Sequence, residues 1–245
     1  MVVGPPISTF RTTPTVVFGR GALQELPDQL RRTGAGKVLI VTDSGVAKAG
    51  ILGRVEAVVQ AAGLEFTTWP HVVPEPPSPS VDACAEAIRS YAADVVVGLG
   101  GGSAMDTSQI AACVVTNGGR AEDWLGVEVL KRPGIPTISV PTTAGTASEV
   151  TGNAVMVMAD GSNKMAVVSP FIYPKVAIVD PALTDSMSPG VTAATGMDTF
   201  CHASESFISV RATEHTRMYA VDAMRRVMRS LPAAVGDGAN TQARD

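Results

Sequence analysis

The sequence predicts an α/β protein: a Rossmann-like parallel-sheet N-terminal domain over residues 1–187, followed by the beginning of an all-α domain over 188–245. Three observations carry this reading. Short apolar, β-branched runs alternate with helical patterns up to about residue 185, the rhythm of a parallel sheet covered by helices. Asp94-Val-Val-Val-Gly-Leu-Gly-Gly-Gly-Ser103 passes from a buried-strand pattern through a glycine turn into a helical pattern. After Pro189 no strand pattern remains and two long helices are expected.

Taken in order, Lys37-Val-Leu-Ile-Val-Thr42 is a strand, entered through the Gly34-Ala-Gly36 turn. Residues 46–62 read mainly as helix, broken near Gly50 to Gly53, and 64–68 as the next strand. Residues 70–80 are crowded with proline, which removes donors from helix and ladder alike, so a loop is expected there. Helix returns over 81–91, strand over 94–98, helix over 103–115 and strand over 134–140. The runs 154–158 and 166–168 flank the turn Asp160-Gly-Ser-Asn163 and suggest a hairpin beside the parallel sheet. Val176-Ala-Ile-Val179 is the last strand, and residues 191–210 and 213–231 are the two helices, with another helix start after Gly236. Two helices cannot bury both their faces, so the second domain looks too small to stand alone, and self-association through its apolar faces is expected.

Composition narrows the function classes. With 245 residues, 45% hydrophobic and 17% charged, the chain is globular and not disordered. A net charge of −4 gives no basic footprint, so no nucleic-acid partner is expected. No apolar run approaches membrane-spanning length, so no membrane partner is expected either. Cys84, Cys113 and Cys201 are widely spaced, with no CxxC pair, and read as free thiols of a reducing, cytoplasmic setting.

Four features carry chemistry. Gly100, Gly101 and Gly102 let the backbone approach a ligand closely, and the following helix start favours a phosphate. Ser103 is placed to cap that helix, with Asp106 completing a capping box; glycine-rich turns also occur for packing alone. Pro141-Thr-Thr-Ala-Gly-Thr-Ala-Ser-Glu-Val-Thr151 offers hydroxyls to a ribose, a pyrophosphate or an amide, or simply caps turns. Asp43, ending a strand, suits a ribose diol and repels a 2′-phosphate, and equally suits an N-cap. Asp198 and His202, four apart on a helix, project from one face and can grip one divalent cation, or pair with each other by a hydrogen bond.

The order of these motifs resembles the iron-containing alcohol dehydrogenases. The matching residues are Phe18-Gly-Arg-Gly-Ala, Asp43-Ser-Gly, Gly100-Gly-Gly-Ser-Ala-Met-Asp106, Pro141-Thr-Thr-Ala-Gly-Thr-Ala-Ser-Glu149, Lys164, Asp180-Pro-Ala-Leu183 and Thr195-Gly-Met-Asp-Thr-Phe-Cys-His-Ala-Ser-Glu205. The resemblance implies an NAD-linked enzyme (NADP being the alternative) that interconverts a small primary alcohol and its aldehyde by hydride transfer. It places Gly101, Gly102, Ser103 and Asp106 at the pyrophosphate turn, Asp43 on the adenosine ribose, and Thr142, Thr143 and Thr151 along the nucleotide. Lys164 then lies near the nicotinamide ribose, with Leu183 packing nearby. Asp198 and His202 become the first two ligands of Fe2+ or Zn2+, which polarises the substrate oxygen.

The departures are as specific. The family's two further histidine ligands lie downstream of the last residue given, so the chain reads as a partial member with an incomplete metal site. Of the other histidines, His71 has no matching context and His215 reads as solvent-exposed at a helix start. Gln109 stands where lysine is usual and Glu75 where asparagine is common. Cys201, rotated about 100° from His202 on a helix, is expected to pack in a core. The alternative reading is a nucleotide-binding module without turnover. A glycerol dehydrogenase-like enzyme of the same fold is a third.

Overall fold

The structure, a computed structural model, describes residues 7–245. Six strands form one all-parallel sheet: β1 (Thr15–Phe18), β2 (Lys37–Asp43), β3 (Glu65–Val72), β4 (Val95–Gly100), β6 (Thr137–Pro141) and β9 (Val176–Val179), in the order β1-β9-β6-β4-β2-β3. The strand run is Val- and Ile-rich because both sheet faces are covered. Along β2, Leu39 and Val41 enter one core with α4 (Ser78–Tyr91) and α5 (Gly102–Asn117). Val38 and Ile40 enter the opposite core with α1 (Leu26–Arg32) and α3 (Ile51–Ala61). This is the period-2 alternation of a strand buried on both sides.

A second sheet of β5 (Gly126–Val127), β8 (Lys164–Val168) and β7 (Asn153–Val157) packs beside α5, and its β7–β8 pair is the antiparallel hairpin expected around Asp160–Asn163. The short α2 (Ser44–Lys48) and α3 are separated at Gly50, which takes a left-handed φ of 76° and so breaks the helix where glycine allows it.

Several boundaries differ from expectation for physical reasons. Residues 70–72 belong to β3 and are not loop; β3 lies at the sheet edge, where a proline without an N–H is tolerated. Helix α4 starts at Ser78, with Pro79 in its first turn, where a missing donor costs nothing. β6 starts only at Thr137, after Pro133 and Pro136. β1 and α1 have no counterpart in the element reading.

Beyond β9, a turn at Pro181–Leu183 leads to α6 (Pro189–Ile208), α7 (Glu214–Gly236) and the short α8 (Thr241–Arg244). Ser188 caps α6 by accepting from the Val191 amide, and Thr213 caps α7. α7 runs five residues past the expected end at Leu231, carrying Pro232 inside it. α6 and α7 pack closely because Gly196 leaves room for the Leu231 side chain. The chain end is tied back to the sheet domain. Arg20 pairs with Asp185 and Asp245, each at 2.7 Å, and the Arg244 guanidinium donates to the Thr184 carbonyl. No helix among the described residues is long and apolar enough to cross a membrane.

Candidate nucleotide and metal site

The sheet reverses its build direction between β2 and β4, and in such sheets the crevice beyond the strand ends at that point receives ligands. Asp43 ends β2, Gly100 ends β4, and Thr142 follows β6 on the next strand over. The three lie together: the Thr142 amide donates to the Gly100 carbonyl at 2.9 Å, and a Cβ built on Gly100 would lie 3.3 Å from Asp43 Oδ2. Gly100 has φ 149°, and the same Cβ would lie 2.8 Å from Ala104 Cβ, so the turn needs glycine twice over.

Asp43 Oδ1 accepts from the Gly45 and Val46 amides at 2.7 and 3.0 Å, which makes Asp43 the N-cap of α2. Its other oxygen points to the glycine turn. The N-cap role read from the sequence is thus taken by Oδ1 alone, and Oδ2 takes no part in it.

The capping box expected of Ser103 and Asp106 does not form. Gly101 is the N-cap of α5, in extended conformation and without a side-chain cap, so Ser103 already sits inside the first turn. The first-turn amides of Gly102 and Ser103 lack an intrahelical acceptor, as at any helix start, and stay available to a ligand. Asp106 instead turns inward. It is 8% exposed, and its Oδ2 accepts from the Val155 amide of β7 at 3.0 Å. Its Oδ1 has no partner. Burial pushes its carboxyl up to about 6, against the opposing pull of the Val155 N–H, Ser148 and Lys164. One turn on, Gln109 is fully buried and donates from Nε2 to the Ser148 carbonyl at 3.0 Å, fastening the hydroxyl-rich loop to α5.

On α6, Asp198 and His202 share one face, with His202 Nε2 3.7 Å from Asp198 Oδ1. Two metal bonds of about 2.1 Å each can span that gap, so oxygen and nitrogen together fit one divalent cation without a change of helix geometry. Among the described residues no third histidine, cysteine or carboxylate joins them, so the pair could fill at most half of a four-coordinate sphere.

A cavity of about 1100 Å³ joins these parts. Of the residues singled out from sequence, Gly102, Ser103, Asp106, Thr151, Lys164, Asp198 and His202 line it. Lys164 stands exposed at the wall, 3.3 Å from Glu75 Oε1, and Glu75 takes the left-handed φ of 49° that asparagine adopts more readily. Asp43, Gly101, Thr142 and Thr143 stand outside the lining, at the strand ends behind the turn. Leu183 does not reach the cavity: it is completely buried in the core that holds Leu23, Leu26 and Ile178, which takes up its whole apolar surface. Cys201 is exposed, contrary to the packed position expected, because no other described residue covers its side of α6.

Sequence reasoning missed the cavity's far wall. Phe10 stacks on Tyr219 and His215 of α7 with ring centroids 5.6 and 6.0 Å apart, and the Tyr173 hydroxyl donates to the Arg11 carbonyl at 3.2 Å. No local pattern around Phe10 announces a contact with α7, more than two hundred residues away. His215 is exposed at the start of α7, as expected.

Comparison with known proteins agrees with this fold. The model of the iron-containing alcohol dehydrogenase family matches residues 13–181, and that of the Fe-containing alcohol dehydrogenase family, C-terminal, matches residues 192–245. A sulfoacetaldehyde reductase of Bilophila wadsworthia is 36% identical over 96% of this chain and 60% of its own length. An NAD-dependent methanol dehydrogenase of Bacillus methanolicus is 37% identical over 98% of this chain and 63% of its own. The crystal structure of a 1,3-propanediol oxidoreductase superposes with a TM-score of 0.95 at 34% identity, covering 98% of this chain and 63% of that one. The chain thus spans about 60% of the length of the curated relatives it matches.

Proposed function

The chain belongs to the iron-containing alcohol dehydrogenase family, and on that premise we propose that it binds NAD and a divalent cation, iron in preference to zinc, for hydride transfer between a small primary alcohol and its aldehyde. One observation carries the reading: the glycine turn and the Asp198–His202 pair open onto the same cavity. In this reading residues 1–187 hold the dinucleotide and 188–245 contribute the metal-binding face. Gly102 and Ser103 present first-turn amides to the pyrophosphate, and Asp43 Oδ2 accepts from the adenosine ribose, a position that disfavours a 2′-phosphate. Thr151 and Lys164 sit along the cavity wall toward the nicotinamide ribose, with Thr142 and Thr143 behind the turn. Bound there, a divalent cation supplies Lewis acidity at the substrate oxygen and the dinucleotide carries the hydride. Asp198 and His202 would orient that chemistry from α6, at a cavity bounded by α5, β7 and α7.

Two measurements test the reading. NADH oxidation is followed with a small aldehyde in the presence of Fe2+ or Zn2+, and calorimetry follows NADH and metal binding separately. NADH binding with no metal binding and no turnover would instead support a nucleotide-binding module. A side chain at position 102 collides with Thr146, the built Cβ lying 2.8 Å from Thr146 Cγ2. Gly102→Val is therefore expected to weaken NADH binding by about 10- to 100-fold, the equivalent of the 1–3 kcal/mol that overpacking costs. Unchanged affinity would remove the glycine turn from the cofactor site.

The helical part leaves Met197, Phe207, Ile208, Val210, Met218 and Met228 exposed, and we expect a second copy to cover them. Light scattering of the 245-residue chain checks this. A monomer at micromolar concentration would count against it.

A further inference from the structure

We propose that Gly145 and Thr199 are positioning residues that fix the Asp198 carboxylate by clasping the loop after β6 onto the metal-facing side of α6. The inference rests on the metal reading above and goes beyond it by naming what holds the ligand. Asp198 is half-exposed on a helix, and among the described residues no donor holds its oxygens by a hydrogen bond, His202 Nε2 standing off at 3.7 Å. A carboxylate in that position is free to change rotamer unless something bounds it.

The bound is backbone. A Cβ built on Gly145 would lie 3.3 Å from Asp198 Oδ2, 3.1 Å from Thr195 Cβ and 3.2 Å from the Thr195 carbonyl oxygen. The loop therefore lies flush against α6 at the metal ligand itself, as close as a residue without a side chain permits. The neighbouring bond keeps it there. Thr199 Oγ1 lies 3.1 Å from the Ala144 carbonyl oxygen and 3.2 Å from that of Thr195, so the one hydroxyl proton is shared between the loop and the preceding turn of α6, from the residue next to Asp198.

The same loop touches the glycine turn on its other side, where Thr146 fills the space over Gly102. Three consecutive residues, Ala144 to Thr146, thus stand between the pyrophosphate turn and the metal face, in contact with both. Asp198 Oδ1 faces His202 while Oδ2 faces Gly145, so confining the second oxygen aims the first at the shared cation. Groups that orient a ligand from behind it in this way set metal affinity without touching the metal.

The test is Zn2+ calorimetry, with Co2+ absorption as a second, spectroscopic readout, on the 245-residue chain and on Thr199→Val, Thr199→Ser, Gly145→Ala and Asp198→Ala. Thr199→Val, which removes the orienting donor, and Gly145→Ala, whose methyl presses the loop off α6, are each expected to weaken Zn2+ binding by about 10- to 100-fold and to alter the Co2+ spectrum. Thr199→Ser keeps the donor and is expected to bind as the parent does. This rescue separates positioning from a general packing defect, and melting temperatures confirm that the variants fold. If Asp198→Ala abolishes Zn2+ binding while Thr199→Val and Gly145→Ala retain it, the clasp is overturned and the metal reading stands. If the parent binds Zn2+ no better than Asp198→Ala, both are overturned.

Discussion

Asp198→Ala is expected to lower aldehyde reduction by at least about a hundredfold while NADH affinity stays close to that of the parent. In the proposed reading the carboxylate is one of the two ligands found among the described residues, and the remaining His202 cannot hold a divalent cation alone. A Lewis acid at the substrate oxygen lowers the barrier by several kcal/mol, and each 1.36 kcal/mol is about tenfold in rate. In the proposed reading the pyrophosphate and adenosine parts of NADH rest on the ends of β2 and β4 and the start of α5, whereas Asp198 belongs to α6 and faces only the nicotinamide end of the shared cavity. Steady-state rates with a small aldehyde, beside NADH calorimetry, check the split. Activity that survives the substitution would place the metal elsewhere or dispense with it.

The second large effect is on stability and follows from Asp106. Its carboxyl rises from 3.8 to about 6 on burial, so between those pH values the folded chain keeps a proton that the unfolded chain has lost. Stability gained from this proton is full below about pH 4, falls as pH rises through about 6, and is gone above it. The size is about 3 kcal/mol, from 1.36 kcal/mol for each tenfold change in proton affinity. At neutral pH the charged side chain is nearly buried with one oxygen unpaired, which costs the fold. Asp106→Asn removes the charge, so it is expected to raise unfolding free energy at pH 7 by up to about 3 kcal/mol and to flatten the profile between pH 4 and 7. Glu149, also raised by burial, leaves a residual slope of the same sign. Urea unfolding at several pH values measures it. A profile as steep as the parent's would mean that Asp106 is ionised throughout.

The parallel sheet was legible because its strands are apolar on both faces, a pattern that survives without knowledge of the partners. Val38-Leu-Ile-Val41 and Val95-Val-Val97 read as buried strands for the same reason that they feed two cores. The cavity residues were legible where spacing and a known resemblance coincided, as at Gly102 and at Asp198 with His202.

What escaped depends on distant surfaces. Residues 70–72 extend a strand despite Pro70 only because that strand is at the edge, and edge position is a property of the whole sheet. Ser103 is a good cap by residue type, yet the turn places Gly101 there instead. Asp106 then serves β7, about fifty residues on, and not its own helix. Cys201 sits at a helix position that packing would bury, and its exposure follows from the thinness of the helical part. Phe10 meets Tyr219 through a contact that no local window spans.

Asp43 divides its two oxygens between a helix end and the crevice beside it. On the proposed function, attempts to open this protein to a 2′-phosphorylated dinucleotide by trimming that side chain would unfasten α2 in the same stroke. Asparagine is the substitution that parts the two duties, keeping a capping oxygen while discarding the negative charge. Redesign of coenzyme preference here is thus also redesign of a helix terminus, and a loss of affinity after trimming records both.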